Sequence, residues 1–483
     1  MIGAISPMDQ AAEVESIRSA VAKHFIVYDV RASYDSVSMF ITPDKSVLEV
    51  QFEELRKEMA AIGYIPILEY MGGEYQISVV RKPAAVKRRP WINLILLVLT
   101  AGTTIFAGAY LWAGYTFSDS LITADNLLYG SLFFALPLLT ILGVHELSHY
   151  LMSKRYGIDA SLPYFIPSIP PLGTFGAFIS MRDPMPNKKA LVDIGFAGPL
   201  GGLLVTIPVA IIGLILNAQG IPHPGIPPGG QTAISNSLIY DLISFLIPSP
   251  DGVFIHPTAF AAWVGFFVTA INLLPAGQLD GGHIARGLLG EKSMYLSLAT
   301  IMILFVLGIF YSGWFLFALL IVFLGVRHPA PLNDVSRLDA RRTGVGVVAL
   351  LLLVGCFVLV PLYEVPVTST FEIDLLGDNS TTVAAGSMTF FSFNVTNTGS
   401  VNITIQLDVH QMPANWSAVL YQSNQSASEA TSTLIFDIPY GNYTTVAMRI
   451  AVPSGETAST KVIVLRGTSI DTDVTRQITI TVS

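Results

Sequence analysis

The sequence predicts a polytopic α-helical membrane protein of about seven spans, with a cytoplasmic α+β domain before them and an external β-sandwich after them. Three observations carry that prediction. The 483-residue chain is 52% hydrophobic and only 12% charged, against about 25% charged in an average soluble protein, and its mean hydropathy is +0.59. Seven apolar runs lie between residues 91 and 363, each near or above the length that crosses a bilayer. The regions on either side are polar and change character, alternating helix and strand patterns before the runs and strand patterns alone after them.

Composition also narrows function. A net charge of -8 and the lack of a basic, aromatic-rich patch argue against nucleic-acid binding. Cys356 is the only cysteine, so the chain has neither an intrachain disulfide nor a thiolate metal site. The polar, acidic N-terminus predicts no cleavable signal peptide.

Residues 1–86 form the expected cytoplasmic domain. Gln10 to His24 reads as a helix, Phe25–Ala32 and Val37–Ile41 as strands, and Lys45–Ile62 as a second amphipathic helix. A hairpin of Tyr64–Tyr70 and Tyr75–Arg81 turns at Gly72-Gly73. The order suggests two αββ units, and the domain is a candidate either to bind a cytoplasmic regulator or to sort substrates.

The apolar runs are expected at 91–113, 128–152, 192–216, 259–279, 294–310, 312–326 and 344–363. Six of them fall in a core at 87–343, and the seventh is a helix at 344–365. Lys87, Arg88 and Arg89 precede the first run, whereas 114–127 and 217–258 contain no Lys or Arg. Lys154, Arg155, Arg182, Lys188, Lys189, Arg286, Lys292, Arg327, Arg337, Arg341 and Arg342 all fall in the alternate connections. That bias puts the N-terminus in the cytoplasm. An odd number of spans then puts the C-terminus outside.

Residues 366–483 are rich in Thr, Ser, Asn and Val and alternate like strands, at about the size of a β-sandwich. Six of the seven Asn in 371–483 sit in N-x-S/T sequons: Asn379, Asn394, Asn402, Asn415, Asn424 and Asn442. Random placement among the 30 Ser or Thr of those 113 residues would give about two. The excess fits an external face.

Chemistry concentrates in the second run, at Val144-His145-Glu146-Leu147-Ser148-His149. Ionisable groups in lipid cost several kcal/mol unless something compensates, and no other run carries a charge in its interior. On a helix His145 and His149 share one face, the spacing of two ligands to a zinc ion. Glu146 stands beside them, placed to take a proton from the attacking water. The alternative is a polar helix end, with His and Glu simply facing headgroup water. A catalytic zinc needs a third protein ligand and one open position. The best candidate is Asp280 in Asn272-Leu273-Leu274-Pro275-Ala276-Gly277-Gln278-Leu279-Asp280-Gly281-Gly282, because the second and fourth runs both end on the cytoplasmic side. Asp280 also suits capping of a helix that starts at Gly281. His283 is a further possible ligand; His223 and His256, in the outer loop, are expected to face solvent.

HELSH, the NLLPAGQLDGG segment and Gly198-Pro199-Leu200-Gly201-Gly202 resemble the three signatures of the site-2 protease family of intramembrane zinc metalloproteases, over about residues 91–326. The stretches Thr174–Ile179 and Pro186–Ala190 resemble the branch that carries a soluble N-terminal domain. One departure is Ser148, where many members have Gly. The resemblance implies one zinc held by His145, His149 and Asp280, with Glu146 as general base. It also makes Asn272 a candidate to hold the substrate backbone or the oxyanion; its alternative is hydrogen bonding within the helix bundle. The implied substrate is a transmembrane protein in the bilayer, cut near its cytoplasmic side. A transmembrane substrate must unwind before its peptide bonds are open to attack. Pro163, Pro167, Pro170 and Pro171 exclude a regular helix in 161–180. The segment Thr174, Phe175, Gly176, Ala177, Phe178 and Ile179 is then an expected strand edge for the unwound substrate; its alternative is a loop that plugs the cavity. Gly195, Gly198, Gly201 and Gly202 allow close helix packing, and the resemblance adds a substrate contact at Gly198.

Two other classes compete. An inactive relative that binds membrane helices would show a broken ligand set, and none is broken. A metal transporter would carry ionisable residues at several depths, whereas here they cluster at one.

Overall fold

The computed structural model describes residues 7–33, 36–83, 89–220, 231–248, 254–365, 368–423 and 431–483. Lys87, Arg88, His223 and the sequon at Asn424 lie outside the described residues. The chain divides into two compact units, Met1–Ile221 with Ser235–Pro361, and Pro222–Ile234 with Leu362–Ser483.

The first unit begins with α1 (Pro7–Ala22), β1 (Ile26–Ala32), β2 (Ser36–Thr42), α2 (Leu48–Ala61), β3 (Tyr64–Met71) and β4 (Glu74–Arg81). Two antiparallel hairpins join through β2 and β4, giving the sheet order β1-β2-β4-β3. This is the arrangement that two αββ units would make. The β3–β4 turn needs positive φ at both central residues, and Gly72 and Gly73 supply it at 62° and 94°. Ile17 and Val21 of α1 and Phe52, Leu55 and Met59 of α2 pack on Met39, Leu68 and Ile77 of the sheet. Glu13 ties α1 to the sheet, accepting from Arg81 and from the Tyr64 hydroxyl at 2.5 Å.

The apolar part comprises α3 (Pro90–Thr116), α4 (Ala124–Gly130), α5 (Leu136–Arg155), a hairpin of β5 (Tyr164–Pro167) and β6 (Thr174–Phe178), and α6 (Lys188–Ala218). It continues as α7 (Leu238–Leu246), α8 (Pro257–Leu273), α9 (Asp280–Leu289), α10 (Ser293–Leu307), α11 (Gly313–Leu324) and α12 (Ala340–Cys356). Among the described residues, four helices are long and apolar enough to cross a membrane: Pro90–Thr116, Ala124–Arg155, Lys188–Ala218 and Asp280–Leu307. The fourth, sixth and seventh expected runs form shorter helices of 17, 12 and 17 residues. Between α4 and α5 a π-helical turn, Ser131–Ala135, interrupts the α ladder, and Thr258 Oγ1 donates to the Phe133 carbonyl there at 2.8 Å. Side chains such as Val98, Met302 and Phe323 are exposed on the helix surfaces, as they should be where lipid is the solvent.

Two local expectations change. The seventh helix ends at Cys356 rather than near 363, before Pro361, and Leu362–Val365 is a strand. Arg342, expected only as a basic flank, pairs with Asp193 in the second turn of α6. Arg342 of α12 grips its carboxylate with two nitrogens at 2.9 and 2.6 Å, and Tyr156 donates to it at 2.5 Å. Arg342 is thus an interhelix clamp as well as a basic flank.

In the second unit β7 (Gln231–Ile234) pairs with β8 (Leu362–Val365). The sandwich follows: β9 (Phe371–Leu376), β10 (Ser380–Val383), β11 (Met388–Asn397), β12 (Ile403–Gln411), β13 (Ser417–Gln422), β14 (Thr433–Ile438), β15 (Tyr443–Ala451), β16 (Ser459–Thr468) and β17 (Asp473–Val482). Its sheets run β10-β17-β16-β12-β14 and β13-β15-β11-β9. Strict alternation, as in Leu434, Phe436 and Ile438, turns every second side chain into one shared core with Phe393, Met448 and Ile480. Asn379, Asn402, Asn415 and Asn442 are exposed.

Hydrogen bonds from Arg81 and Tyr64 hold Glu13 below its ordinary value of 4.5. A depressed carboxylate contributes stability that is present above its unfolded value and is lost as the pH falls through the folded one. The N-terminal domain should therefore lose resistance to denaturant below about pH 4.5, as followed by limited proteolysis of the full chain. Glu13→Gln should flatten that acid limb.

Candidate metal centre and catalytic cavity

His145 and His149 lie one turn apart on α5, both buried at 4% exposure. Their Nε2 atoms are 3.1 Å apart. The Asp280 carboxylate reaches both, at 3.2 Å from each Nε2. Ligand atoms about 2.1 Å from one ion in tetrahedral directions stand about 3.4 Å apart, so the three groups fit a single cation. The donor set agrees. His149 Nδ1 donates to the Ile194 carbonyl at 2.8 Å, which leaves Nε2 with a lone pair aimed at the other two groups. Three acceptor atoms converging in a buried place need a cation or protons between them.

The loop before α9 delivers Asp280. After α8 ends at Leu273, the chain turns tightly through Pro275 and Gly277, the latter at a φ of 54°. Gly281 and Gly282 sit so close to the Leu273, Leu274 and Gly277 carbonyls that a Cβ at either would overlap them. Leu279, not Asp280, is the N-cap of α9, and it makes no side-chain cap bond. The capping role considered for Asp280 is therefore replaced: it is the first helical residue, with its carboxylate turned to the histidines.

α6 makes this approach possible. Its Gly198 lies against the His149 ring, Gly202 against His145, Gly201 against Ser148 and Gly195 against His283 and the Asp280 backbone. The spacing 195, 198, 201/202 is one helix face, so a smooth strip of backbone meets both α5 and α9. Ser148 Oγ fits against Gly201 and donates to the Val144 carbonyl at 2.7 Å.

The three groups open on a cavity of about 520 Å³, lined also by Glu146, Asn272, Gln278, His283 and His328. Residues 177–181 form one wall. Ser180 and Arg182 exchange backbone hydrogen bonds with Ser161 and Asp159. By strand alternation Ile179 and Met181 then face the other way, on the side of the cavity that also holds Glu146. Asn272 Nδ2 is 3.4 Å from His145 Nε2. The hairpin is pinned to α3, where Asn93 Nδ2 donates to the Leu162 carbonyl at 2.7 Å and Thr103 Oγ1 to the Gly173 carbonyl at 2.7 Å.

Of the residues singled out from sequence, His145, Glu146, His149, Asn272, Asp280, Ala177, Phe178 and Ile179 meet at this cavity. Thr174, Phe175, Gly176 and Gly198 do not line it. Thr174 is buried and donates to the Ile166 carbonyl, holding the hairpin together, and Phe175 is 77% exposed. Gly198 is covered by His149, which explains it as a packing position. His283 stays out of the metal group; its Nδ1 donates to the Leu279 carbonyl. His256 is not solvent-facing. It is 4% exposed among Trp112, Tyr115 and Phe133, where Nδ1 caps α8 at Thr258. Pro257 at the first helical position was its sequence signal. Gln278, His328 and the Ile194 carbonyl were not foreseen. Gln278 lay within the quoted motif; the other two carry no local signature.

Because any Cβ at 198 overlaps the His149 ring, Gly198→Val should displace a ligand. Bound metal, measured by elemental analysis after dialysis against a weak chelator, should fall about tenfold or more. Leu204→Ala, on an exposed position of α6, should keep its metal.

Residues 133–312 match the family model for peptidase family M50. A protein of Arabidopsis thaliana named probable zinc metalloprotease EGY1, chloroplastic, is 30% identical over 340 residues, covering 65% of this chain and 57% of the relative. Probable zinc metalloprotease EGY2, chloroplastic, of the same plant is 32% identical over 248 residues, covering 49% and 43%. The rice EGY1 protein is 32% identical over 227 residues, covering 46% and 39%. The matches thus span about half the length of these relatives. Among solved structures, the N-terminal domain of PorA matches 23% of this chain and 98% of its own at 12% identity, with a TM-score of 0.18, too distant to bear on the fold. The apolar helices, the metal-binding geometry and these matches agree: residues 133–312 match peptidase family M50, the site-2 protease family, and the relatives are named zinc metalloproteases.

Proposed function

We propose that the protein is an intramembrane zinc endopeptidase that hydrolyses a peptide bond of a transmembrane substrate near the cytoplasmic side. One observation carries the reading. His145, His149 and Asp280 converge on one point, and Glu146 and the backbone of residues 177–181 share the cavity with them. His145, His149 and Asp280 would hold the zinc, whose Lewis acidity would polarise the scissile carbonyl and the attacking water.

The other steps fall to the protein. Glu146 takes a proton as the water oxygen bonds the carbonyl carbon. It returns that proton to the amide nitrogen as the C–N bond breaks, leaving an amine and a carboxylic acid that then ionises to water. Asn272, on the cavity wall, is placed to donate to the substrate backbone or to the oxygen that gains charge. The outward edge at Ile179 accepts the unwound substrate as an added strand.

The reading includes seven spans with the N-terminal domain in the cytoplasm and the sandwich outside, supported by the distribution of Lys and Arg and by the sequons. It also includes one zinc per chain, supported by the single His-His-Asp group among the described residues, and a regulator acting on the N-terminal domain.

With a helical membrane substrate in detergent or liposomes, Glu146→Gln should lower cleavage by ~10²–10⁴-fold while elemental analysis finds its zinc unchanged. Equal cleavage by both proteins would remove the protease assignment. Ile179→Pro, which lacks the outward N–H, should keep its zinc and lose about tenfold or more in cleavage. Wild-type cleavage there would reduce the hairpin to a plug.

A further inference from the structure

The chain between α11 and α12 touches three parts of the first unit in seven residues. His328, Pro329 and Ala330 line the catalytic cavity. Leu332 is 6% exposed and belongs to the apolar core of the N-terminal domain, beside Leu68 and Phe52. Its backbone joins that domain's sheet: the Leu68 N–H donates to the Leu332 carbonyl at 2.7 Å, and the Asp334 N–H donates to the Leu68 carbonyl at 3.2 Å. On the opposite side, the Leu332 and Asn333 N–H groups donate to the Met185 and Pro186 carbonyls at 2.8 and 3.0 Å. Residues 332–334 are therefore an extra strand between β3 and the chain that enters α6.

The same segment grips α9 at two points. His283 and His328 meet ring to ring, with centroids 4.4 Å apart. One turn further, Arg286 Nη2 donates to Asp334 Oδ2 at 2.8 Å, and Lys188 approaches the other carboxylate oxygen at 3.7 Å. Arg286 is 4% exposed, and a buried ion pair of this kind resists displacement. Positions 280, 283 and 286 follow one another along α9. The helix carries Asp280 at its first residue and is held by this segment at the next two turns. Nothing in the hydrolytic steps uses Asp334, Arg286 or His328.

We propose that Asp334 and Arg286 are positioning residues for the metal-binding carboxylate, and that the N-terminal domain fixes the position of α9 through the strand 332–334. This rests on the reading of Asp280 as a metal ligand. The strand gives the soluble domain a direct mechanical hold on the metal centre. A ligand or partner that moves β3 would act on zinc affinity before it acted on substrate binding.

The test is zinc affinity of the full-length protein in detergent, by competition with a chromogenic chelator well below the unfolding temperature. Asp334→Asn breaks the hold on α9, and Leu332→Ala weakens the hold on the N-terminal domain. Each should raise the zinc dissociation constant about tenfold or more. Trp263→Phe is the comparator: it removes a buried indole donor to the Ser235 carbonyl, toward the far end of α8 from the metal centre. It should lower the melting temperature and leave zinc affinity alone. Wild-type affinity in Asp334→Asn would overturn the proposal. Wild-type affinity in Leu332→Ala alone would overturn the part played by the N-terminal domain, as would a Trp263→Phe effect equal to the other two. Asp280→Ala separates the premises: if it binds zinc like wild type, the reading of the metal centre fails first.

Discussion

The approach of α5 and α9 to the glycine face of α6 is the contact on which the rest depends. Three polar groups must meet to within 3.2 Å inside an apolar bundle, where unpaired polar atoms are expensive. Side chains on α6 would hold the helices 8–10 Å apart in the ordinary way. Gly195, Gly198, Gly201 and Gly202 remove that spacer where the histidines and the Asp280 turn must fit. The Ile194 carbonyl, from the same stretch, then orients His149. One helix thus supplies both the space and the orienting bond, which is why its glycines lie against His145, His149 and the Asp280 backbone.

How much of this was legible in the sequence follows from what each feature depends on. The α5 histidines are four apart, and helical geometry alone brings them together. Asp280 is 131 residues from His149, but alternation of spans put it at the same depth. The N-terminal elements were readable because turn residues and periodicity are local, and Gly72-Gly73 marked the hairpin to the residue. What escaped was tertiary. The Arg286–Asp334 pair spans 48 residues, and nothing in either neighbourhood distinguishes these charges from the basic and acidic flanks around them. His256 was misjudged because loop position suggests water, while three aromatic side chains from α3 and the π turn cover it. The seventh run was apolar to its expected end, but Pro361 and pairing with β7 turned its last residues into a strand.

The β5–β6 hairpin has a thermodynamic role under the proposed reading. A transmembrane helix satisfies its peptide groups internally, and unwinding exposes them to a medium with no water to replace those bonds. Several unpaired groups at several kcal/mol each would exclude the open conformation. An edge strand supplies donors and acceptors in the register the extended chain needs, so it acts on the energy of the unwound state as well as on its orientation. That use demands a rigid edge. The bonds from Asn93 and Thr103 to the hairpin backbone anchor it to α3 at both ends, and Thr174 closes its inner side. The three polar side chains are therefore explained by the hairpin they hold.

The two walls of the cavity differ in what holds them. Under the proposed reading the substrate edge is fastened to α3, an apolar helix. The metal-binding carboxylate is on α9, which packs on α6 at Gly195 and Gly287 and is also gripped by His328 and Asp334, next to β3 of the N-terminal domain. The histidines stand between, on α5, clamped by α6. A shift of the soluble domain would therefore be felt at Asp280 while the strand edge and the histidine pair stayed fixed. Because a metal ligand must be placed within a few tenths of an ångström, a small rotation of α9 would alter zinc affinity more than the shape of the cavity. Under the proposed reading the architecture separates recognition of substrate from control of the metal, by attaching them to different helices.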